Sequence, residues 1–376
     1  VLQENGWVPT EFTETGKPTV DEETLKDVKV DDPKKQAAID LIAEYMLVTK
    51  RIGQLGEGNN AWLKLVHSDG LMHGSINPNG AVTGRATHSF PNIAQVPSGT
   101  ALYGPESRSL FGAKWWRHVW PEALQVGTDA SGLELRCLGH FMARYDNGEY
   151  IDVLLNGDIH WKNVLALGLV PKGTVRDKND HKHDAFRGNA KTFIYAFLYG
   201  AGDAKIGEIV NGGKEAGKKL KNSFMEATPA IADLREAIES TLVESSQWTA
   251  EGQKIKWKRR YLIGLDGRKL HVRSPHSALN TLLQSAGALA CKLWVVETIR
   301  ILEEDEGLKQ GNTKQDDFML CAWVHDEIQL IGKNREVAEK IAAASAKAMA
   351  YAGEFFKFRC PLETEAKFGD TWLECH

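Results

Sequence analysis

The chain has 376 residues, 42% of them hydrophobic and 26% charged, with a net charge of −4. That length exceeds what one hydrophobic core usually spans, so two or three subdomains are expected in an ordinary globular composition. The five cysteines (Cys137, Cys291, Cys321, Cys360, Cys375) are scattered, odd in number and without C-x-x-C spacing. This excludes a disulfide framework or a zinc site and points to a reducing cytosol.

The overall charge hides a segregation. Residues 156–290 hold 21 Lys and Arg against 14 Asp and Glu, a balance of +7, so the rest of the chain carries −11. A basic middle between acidic flanks gives a local surface on which a polyanion can displace counterions. No secretory signal is visible, and the opening Val1 is what a piece of a longer protein would show.

In chain order, residues 1–70 read as helical after a loop-like start, with Asp31-Asp32-Pro33 as a helix entry and apolar residues at helical spacing over 37–47. Residues 71–100, rich in Gly, Asn, Pro and Thr, read as short strands and turns. A strand over 124–128 should deliver Asp129, Gly132 should turn the chain, and 133–145 should continue as a helix. Residues 156–187 look irregular, basic and His-rich, and 189–200 strongly helical, with further helices through 246. The alternation over 253–273 predicts a hairpin turning at Asp266-Gly267. The apolar stretch 277–299 is interrupted by Asn280, Gln284, Lys292 and Glu297, so a long buried helix over 277–304 is expected, not a membrane span. A second hairpin then pairs 318–324 with 328–331.

Three elements carry chemistry. Thr128-Asp129-Ala130-Ser131-Gly132-Leu133-Glu134-Leu135-Arg136 places Asp129 at a strand end, where Ala130 could add a backbone carbonyl as a metal ligand. His325-Asp326-Glu327 lies between two apolar runs. A lone Asp in a β-turn ordinarily serves turn chemistry, but an acid flanked by apolar strands needs a partner or a metal. Two carboxylates from separate strands suit a pair of Mg²⁺ ions in phosphoryl transfer. Between them, Arg187, Lys191, Tyr195 and Tyr199 recur every four residues and share one helix face. Arg187 to Tyr195 spans about 12 Å, enough for a triphosphate at one end and a sugar and base at the other. A solvated basic face with a core tyrosine is the alternative for this helix alone. Glu134, on the first turn of its helix, either excludes a 2′-hydroxyl from a sugar or complements the helix dipole.

Together these elements resemble motifs A, B and C of the DNA polymerase I family (family A). Segments 129–150, 191–202, 243–248, 265–287 and 322–329, and the closing Cys375-His376, are similar to the replicative polymerases of T-seven-like podophages. The resemblance implies an α+β right-hand fold: an antiparallel palm sheet carrying the acids, a largely helical fingers subdomain and a partial helical thumb. The implied division is 1–65 thumb remnant, 66–140 palm, 141–280 fingers and 281–376 palm again.

It also implies DNA-directed DNA synthesis in phage replication in the host bacterial cytoplasm. Asp129 and Asp326 would bind two Mg²⁺ ions, with Ala130 as a carbonyl ligand and Glu327 in support. His160, Arg187 and Lys191 would hold the triphosphate, Tyr195 the sugar and base, and Glu134 would reject ribonucleotides. Tyr199 would lie at the templating position. Arg85 (in Thr83-Gly84-Arg85), Gln284 and His325 would touch primer–template, with His276 toward the minor groove.

The exonuclease, the complete thumb and the thioredoxin-recruiting loop of such enzymes have no counterpart in the sequence, so a separate exonuclease/thumb polypeptide or a thioredoxin-type clamp would be a partner. The segment 170–186 is longer than podophage enzymes lead one to expect, and reads either as a basic loop over the substrate or as an exposed spacer. An RNA polymerase, a metal nuclease and a non-catalytic piece of a split polymerase stand as alternatives.

Overall fold

The computed structural model describes residues 3, 7, 9, 16–21, 24, 25, 28–30, 32–249 and 252–376. The chain divides into two compact units, residues 1–76 with 88–93, and residues 77–87 with 94–376.

The first unit is built around helix α1 (Pro33–Ile52). Asp32 caps it by accepting the Lys34 N–H at 2.9 Å, and Pro33 occupies its first position, where no N–H is needed. Asp31, part of the expected helix entry, lies outside the described residues. Ile39, Ala43 and Leu47, four residues apart, form the buried stripe, and the first two join Leu25 and Val28 in a small core. Within the turn-rich 71–100 stretch there are two three-residue strands, Ser75–Asn77 and Thr87–Ser89.

The second unit begins its main architecture with β1 (Leu124–Ala130), then α2 (Leu133–Asp146), α3 (Glu149–Asn156), α4 (Ile159–Ala166), α5 (His181–Leu198), α6 (Lys214–Ala227) and α7 (Pro229–Leu242). Four strands follow as two hairpins: β2 (Val243–Thr249) with β3 (Gly252–Trp257), and β4 (Tyr261–Ile263) with β5 (Lys269–His271). Then come α8 (Ala278–Arg300), β6 (Phe318–Val324), β7 (Glu327–Gly332), α9 (Arg335–Phe355) and β8 (Thr364–Gly369). The main sheet has the order β8-β1-β7-β6, antiparallel throughout.

The acid-bearing strands and their flanks follow the sequence pattern closely. Three stretches differ. Residues 156–187 are irregular only in part: 167–180 carry neither helix nor strand, but 159–166 and 181–187 are helical. Asp158 caps α4 through the Trp161 N–H, and Asp180 caps α5 through the Lys182 N–H, so α5 starts eight residues before the expected helix. The helices stop at Leu242, where Val243 turns extended. The alternating run 253–273 is not one hairpin: its first part pairs backward with β2, and only β4 and β5 close around Asp266-Gly267.

One hydrophobic core joins the sheet to the helices, running from Val126, Ile328 and Leu330 through Leu138 and Met142 to Phe193, Phe197 and Phe224. The Phe193, Phe197 and Phe224 rings meet at centroid distances of 5.1–5.7 Å and so fasten α5 to α6. Helix α9 packs on β1, β7 and β8, and α8 packs on α9 and α2. Trp294 of α8 is fully buried, its indole N–H shared by Ser345 O (3.0 Å) and Oγ (3.1 Å) of α9. The helical stretch Pro275–Asp305 is long and apolar enough to cross a membrane by composition alone. Its buried residues face several neighbouring elements, as in a core helix.

Candidate active site

The sheet brings the two acidic segments side by side. Asp129 lies opposite Glu327 in the β1–β7 register, and the Ala130 N–H donates to the Asp326 carbonyl at 2.9 Å. On the other side Val324 pairs with Glu327, leaving His325 and Asp326 as a two-residue hairpin tip. His325 has φ 57°, the left-handed conformation that a two-residue hairpin tip calls for and that His adopts more readily than most side chains.

The electrostatics follow from this register. The Asp129 carboxyl is pushed up to about 7, first by dehydration from the protein massed around it, then by the Asp326 and Glu327 charges. Its side chain still opens to solvent. Dehydration is therefore incomplete, and the like-charge repulsion is the part that a bound cation would relieve.

Glu327 behaves in the opposite way. Burial alone would raise it, yet His376 (Nδ1 at 3.0 Å), the Trp372 indole N–H (2.5 Å) and the Gln329 amide (2.6 Å) hold it below the usual carboxylate range. Gln125 of β1 donates in turn to Gln329 at 2.7 Å. This network needs the tail of the chain to cross β1, and it does so at Gly127, where a Cβ would overlap the Cys375 carbonyl and the Gln329 amide.

The turn after β1 is fixed by Gly132, at φ 56°, and by Arg136. The buried Arg136 guanidinium donates to Ser131 O (2.7 Å), Glu363 (2.7 Å) and Pro361 O. That holds the first turn of α2 and with it Glu134. The Glu134 carboxylate accepts the Tyr199 hydroxyl and lies 3.5 Å from the Arg85 guanidinium. Burial, then this carboxylate, pushes the Tyr199 phenol up to about 12. The Tyr195 phenol is also raised, by burial first and then by Glu134, Asp326 and Asp129, so it lies within their field.

Further toward the start of α5, Asp158 grips Arg187 Nε with both oxygens, at 2.9 and 3.1 Å. His160 sits beside them. Its imidazole is lowered by burial and by the Arg187 and Lys191 charges, with Nδ1 buried and, among the described residues, unpartnered. At neutral pH this ring is uncharged, a hydrogen-bonding group and not a third cation.

Arg85, Asp129, Glu134, Tyr195, Tyr199, His325, Asp326 and Glu327 thus fall into one region, with Lys191 and Arg187 farther toward the start of α5 and His160 of α4 beside Arg187. Arg85, His325 and Asp326 also line one small cavity, together with Trp323 and Cys291. Gln284 is partly buried on α8, and His276 is exposed in the turn Pro275–Ser277, its carbonyl 3.1 Å from where a Gly200 Cβ would lie. Among the described residues no three His, Cys, Asp or Glu side chains form a ready-made metal cage.

Asp158, Arg176, Gln329, Trp372 and His376 carry no role read from sequence, His376 standing only within the closing Cys375-His376. Only Asp158 carried a readable signal, as a helix cap. All five cysteines are free thiols.

Comparison with known proteins decides the family. Residues 1–374 match DNA polymerase family A. The chain belongs to that family. It is 58% identical to the DNA-directed DNA polymerase of Enterobacteria phage T3 over 382 aligned residues, covering all of this chain and 51% of that protein. It is 57% identical to the DNA-directed DNA polymerase of Escherichia phage T7, with the same coverage. The chain therefore spans about half the length of the curated relatives it matches. A solved structure, the POL domain of Pol1 from M. smegmatis in complex with DNA primer-template and dNTP, superposes with a TM-score of 0.71 at 20% identity. It covers 100% of this chain and 60% of that one. The family A chain accordingly has the α+β right-hand polymerase fold.

Proposed function

We propose that this family A chain performs template-directed addition of deoxynucleotides to a primer 3′ end, releasing pyrophosphate, in phage replication within the host bacterial cytoplasm. The observation that carries the reading is the adjacency of Asp129 and Asp326 across paired strands, with Tyr195 of the basic helix inside the same field.

The donor set fits two Mg²⁺ ions. It consists of hard oxygens, and the repulsion that raises the Asp129 acid is what divalent cations remove. The Asp129 and Asp326 carboxylates and the Ala130 carbonyl would hold them, substrate phosphates filling the remaining positions in place of a protein cage. Bound there, they would supply acidification of the primer 3′-hydroxyl and neutralisation of the leaving pyrophosphate.

The side chains do the rest. Arg187, Lys191 and a neutral His160 present donors to the triphosphate. Tyr195 lies against sugar and base. Glu134, immobilised by Tyr199 and Arg85, occupies the space a 2′-hydroxyl would need. Glu327, buried in its hydrogen-bond network, fixes the β6–β7 tip that carries Asp326. Arg85, Tyr199, His276, Gln284 and His325 form the primer–template contact, with Tyr199 at the templating base. In this reading residues 66–140 and 281–376 are palm, 141–280 fingers and 1–65 the end of the thumb. An exonuclease/thumb portion and a thioredoxin-type clamp, the partners the family resemblance implies, would complete the DNA grip.

Primer extension by this chain with Mg²⁺ and deoxynucleotides tests the reading, with Asp326→Asn as control. Extension by the parent and none by the variant supports it. Equal extension by both, or a preference for ribonucleotides, overturns it.

A further inference from the structure

The segment 170–186 is largely exposed, yet it is tied down at several points. The Trp161 indole of α4 donates to Thr174 O at 3.0 Å and lies 4.8 Å from the His183 ring. Asp177 N–H donates to His183 Nδ1 at 2.9 Å. So pinned, the segment delivers Arg176. Its guanidinium bridges Asp184 (2.8 Å) and Asp158 (2.9 Å), and Asp158 holds Arg187 through Nε. The result is an alternating chain of four charges, Asp184, Arg176, Asp158 and Arg187, ending on the helix face that carries Lys191.

Two physical consequences follow. Among the described contacts Asp158 hydrogen-bonds Arg187 through Nε, so the N–H donors of the two terminal nitrogens are not used in that grip and can serve an oxyanion. Asp158, standing next to a polyanion site, would repel a triphosphate and compete for Arg187 unless its own charge were neutralised. Arg176 neutralises it from the far side.

We propose that Arg176 and Asp158 are positioning residues for the triphosphate: the extra segment presets the Arg187 guanidinium and cancels the one carboxylate beside it. The inference rests on the nucleotide-binding role of Arg187 given above. It adds that nucleotide affinity is set partly by a residue outside motifs A, B and C.

Single-nucleotide insertion kinetics and inhibition by inorganic pyrophosphate test it, with thermal unfolding of each protein run alongside. Arg176→Met is expected to raise the nucleotide KM by about five- to tenfold, with the change in KM rather than kcat, and to weaken pyrophosphate inhibition in parallel. Arg176→Lys should recover most of the loss. Adding Asp158→Asn, which retains the helix cap, should partly rescue Arg176→Met, because the competing charge is gone. An unchanged KM in Arg176→Met, a loss confined to kcat, or a defect that tracks the melting temperature would overturn the proposal. Arg187→Ala separates this from the parent reading. If that variant weakens nucleotide and pyrophosphate binding while Arg176→Met does not, the positioning role alone falls. If Arg187→Ala has no effect, the nucleotide site itself is misplaced and the proposal falls with it.

Discussion

The acid end of the sheet and the basic row of α5 solve opposite electrostatic problems. At the sheet, strand register forces Asp129, Asp326 and Glu327 together, and among the described residues only Glu327 is given donors. At the start of α5, Arg187 is paired with Asp158, which Arg176 also holds, and the pairing through Nε leaves part of the Arg187 donor capacity unused. One region carries surplus negative charge, and the other carries positive charge that its pairing leaves partly free. On the function proposed above, a magnesium–triphosphate complex would satisfy both at once.

The comparison breaks most readily at the sheet. Asp129→Asn should cut primer extension by on the order of a hundred- to a thousandfold while leaving primer–template affinity within a small factor, measured by extension rate and fluorescence anisotropy. Retained extension would mean the surplus charge has no catalytic purpose.

The helix side should give a smaller effect. Lys191→Ala removes one charge-assisted contact, and a rise of about ten- to a hundredfold in nucleotide KM is expected from single-turnover titration. A KM equal to the parent's would reduce α5 to a solvated basic face.

The smallest effect is thermodynamic and sharpens the contrast. The Asp129 acid stands at about 7 in the folded chain, above its unfolded value. Between roughly pH 4 and 7 the folded state therefore keeps a proton that the unfolded state has lost. By linkage, stability falls as pH rises through that window and stays low above it. Metal-free protein should show this fall, and Asp129→Asn should lack it when the two melting curves are subtracted. Subtraction also removes His140, whose imidazole is lowered to about 4 by burial and by Arg359 and Arg144 and contributes in the opposite direction. Mg²⁺ at pH 7.5 should raise the parent's melting temperature more than the variant's. Identical pH profiles would show that the carboxylates do not repel one another.

The acid strands were legible because their information is local. Apolar runs on both sides of His325-Asp326-Glu327 and a glycine after Asp129 specify strand, tip and turn within ten residues. The face shared by Arg187, Lys191 and Tyr195 was legible for the same reason, as a fixed helical period. The Glu327 network was not, because Trp372 reaches it from 45 residues away and only the crossing at Gly127 permits that approach. Nor could Arg176 be read. It lies eleven residues before Arg187 on a stretch with no period, and its meaning depends on Asp158 capping one helix while gripping the next. The early start of α5 was missed because His and Asp are indifferent helix formers and the Asp180 cap was hidden among other acids.

The Phe193–Phe197–Phe224 cluster anchors α5 near its tyrosine end, while its start is held by packing on α4 and by the Asp158 grip on Arg187. Arg187 lies ten residues from Phe197, about 15 Å along the axis, so tilting the helix by roughly 10° would displace that guanidinium by about 2.6 Å. A displacement of that size would pull Nε out of hydrogen-bond reach of Asp158. A rod clamped at both ends can tilt only if α4 travels with it or the grip lets go.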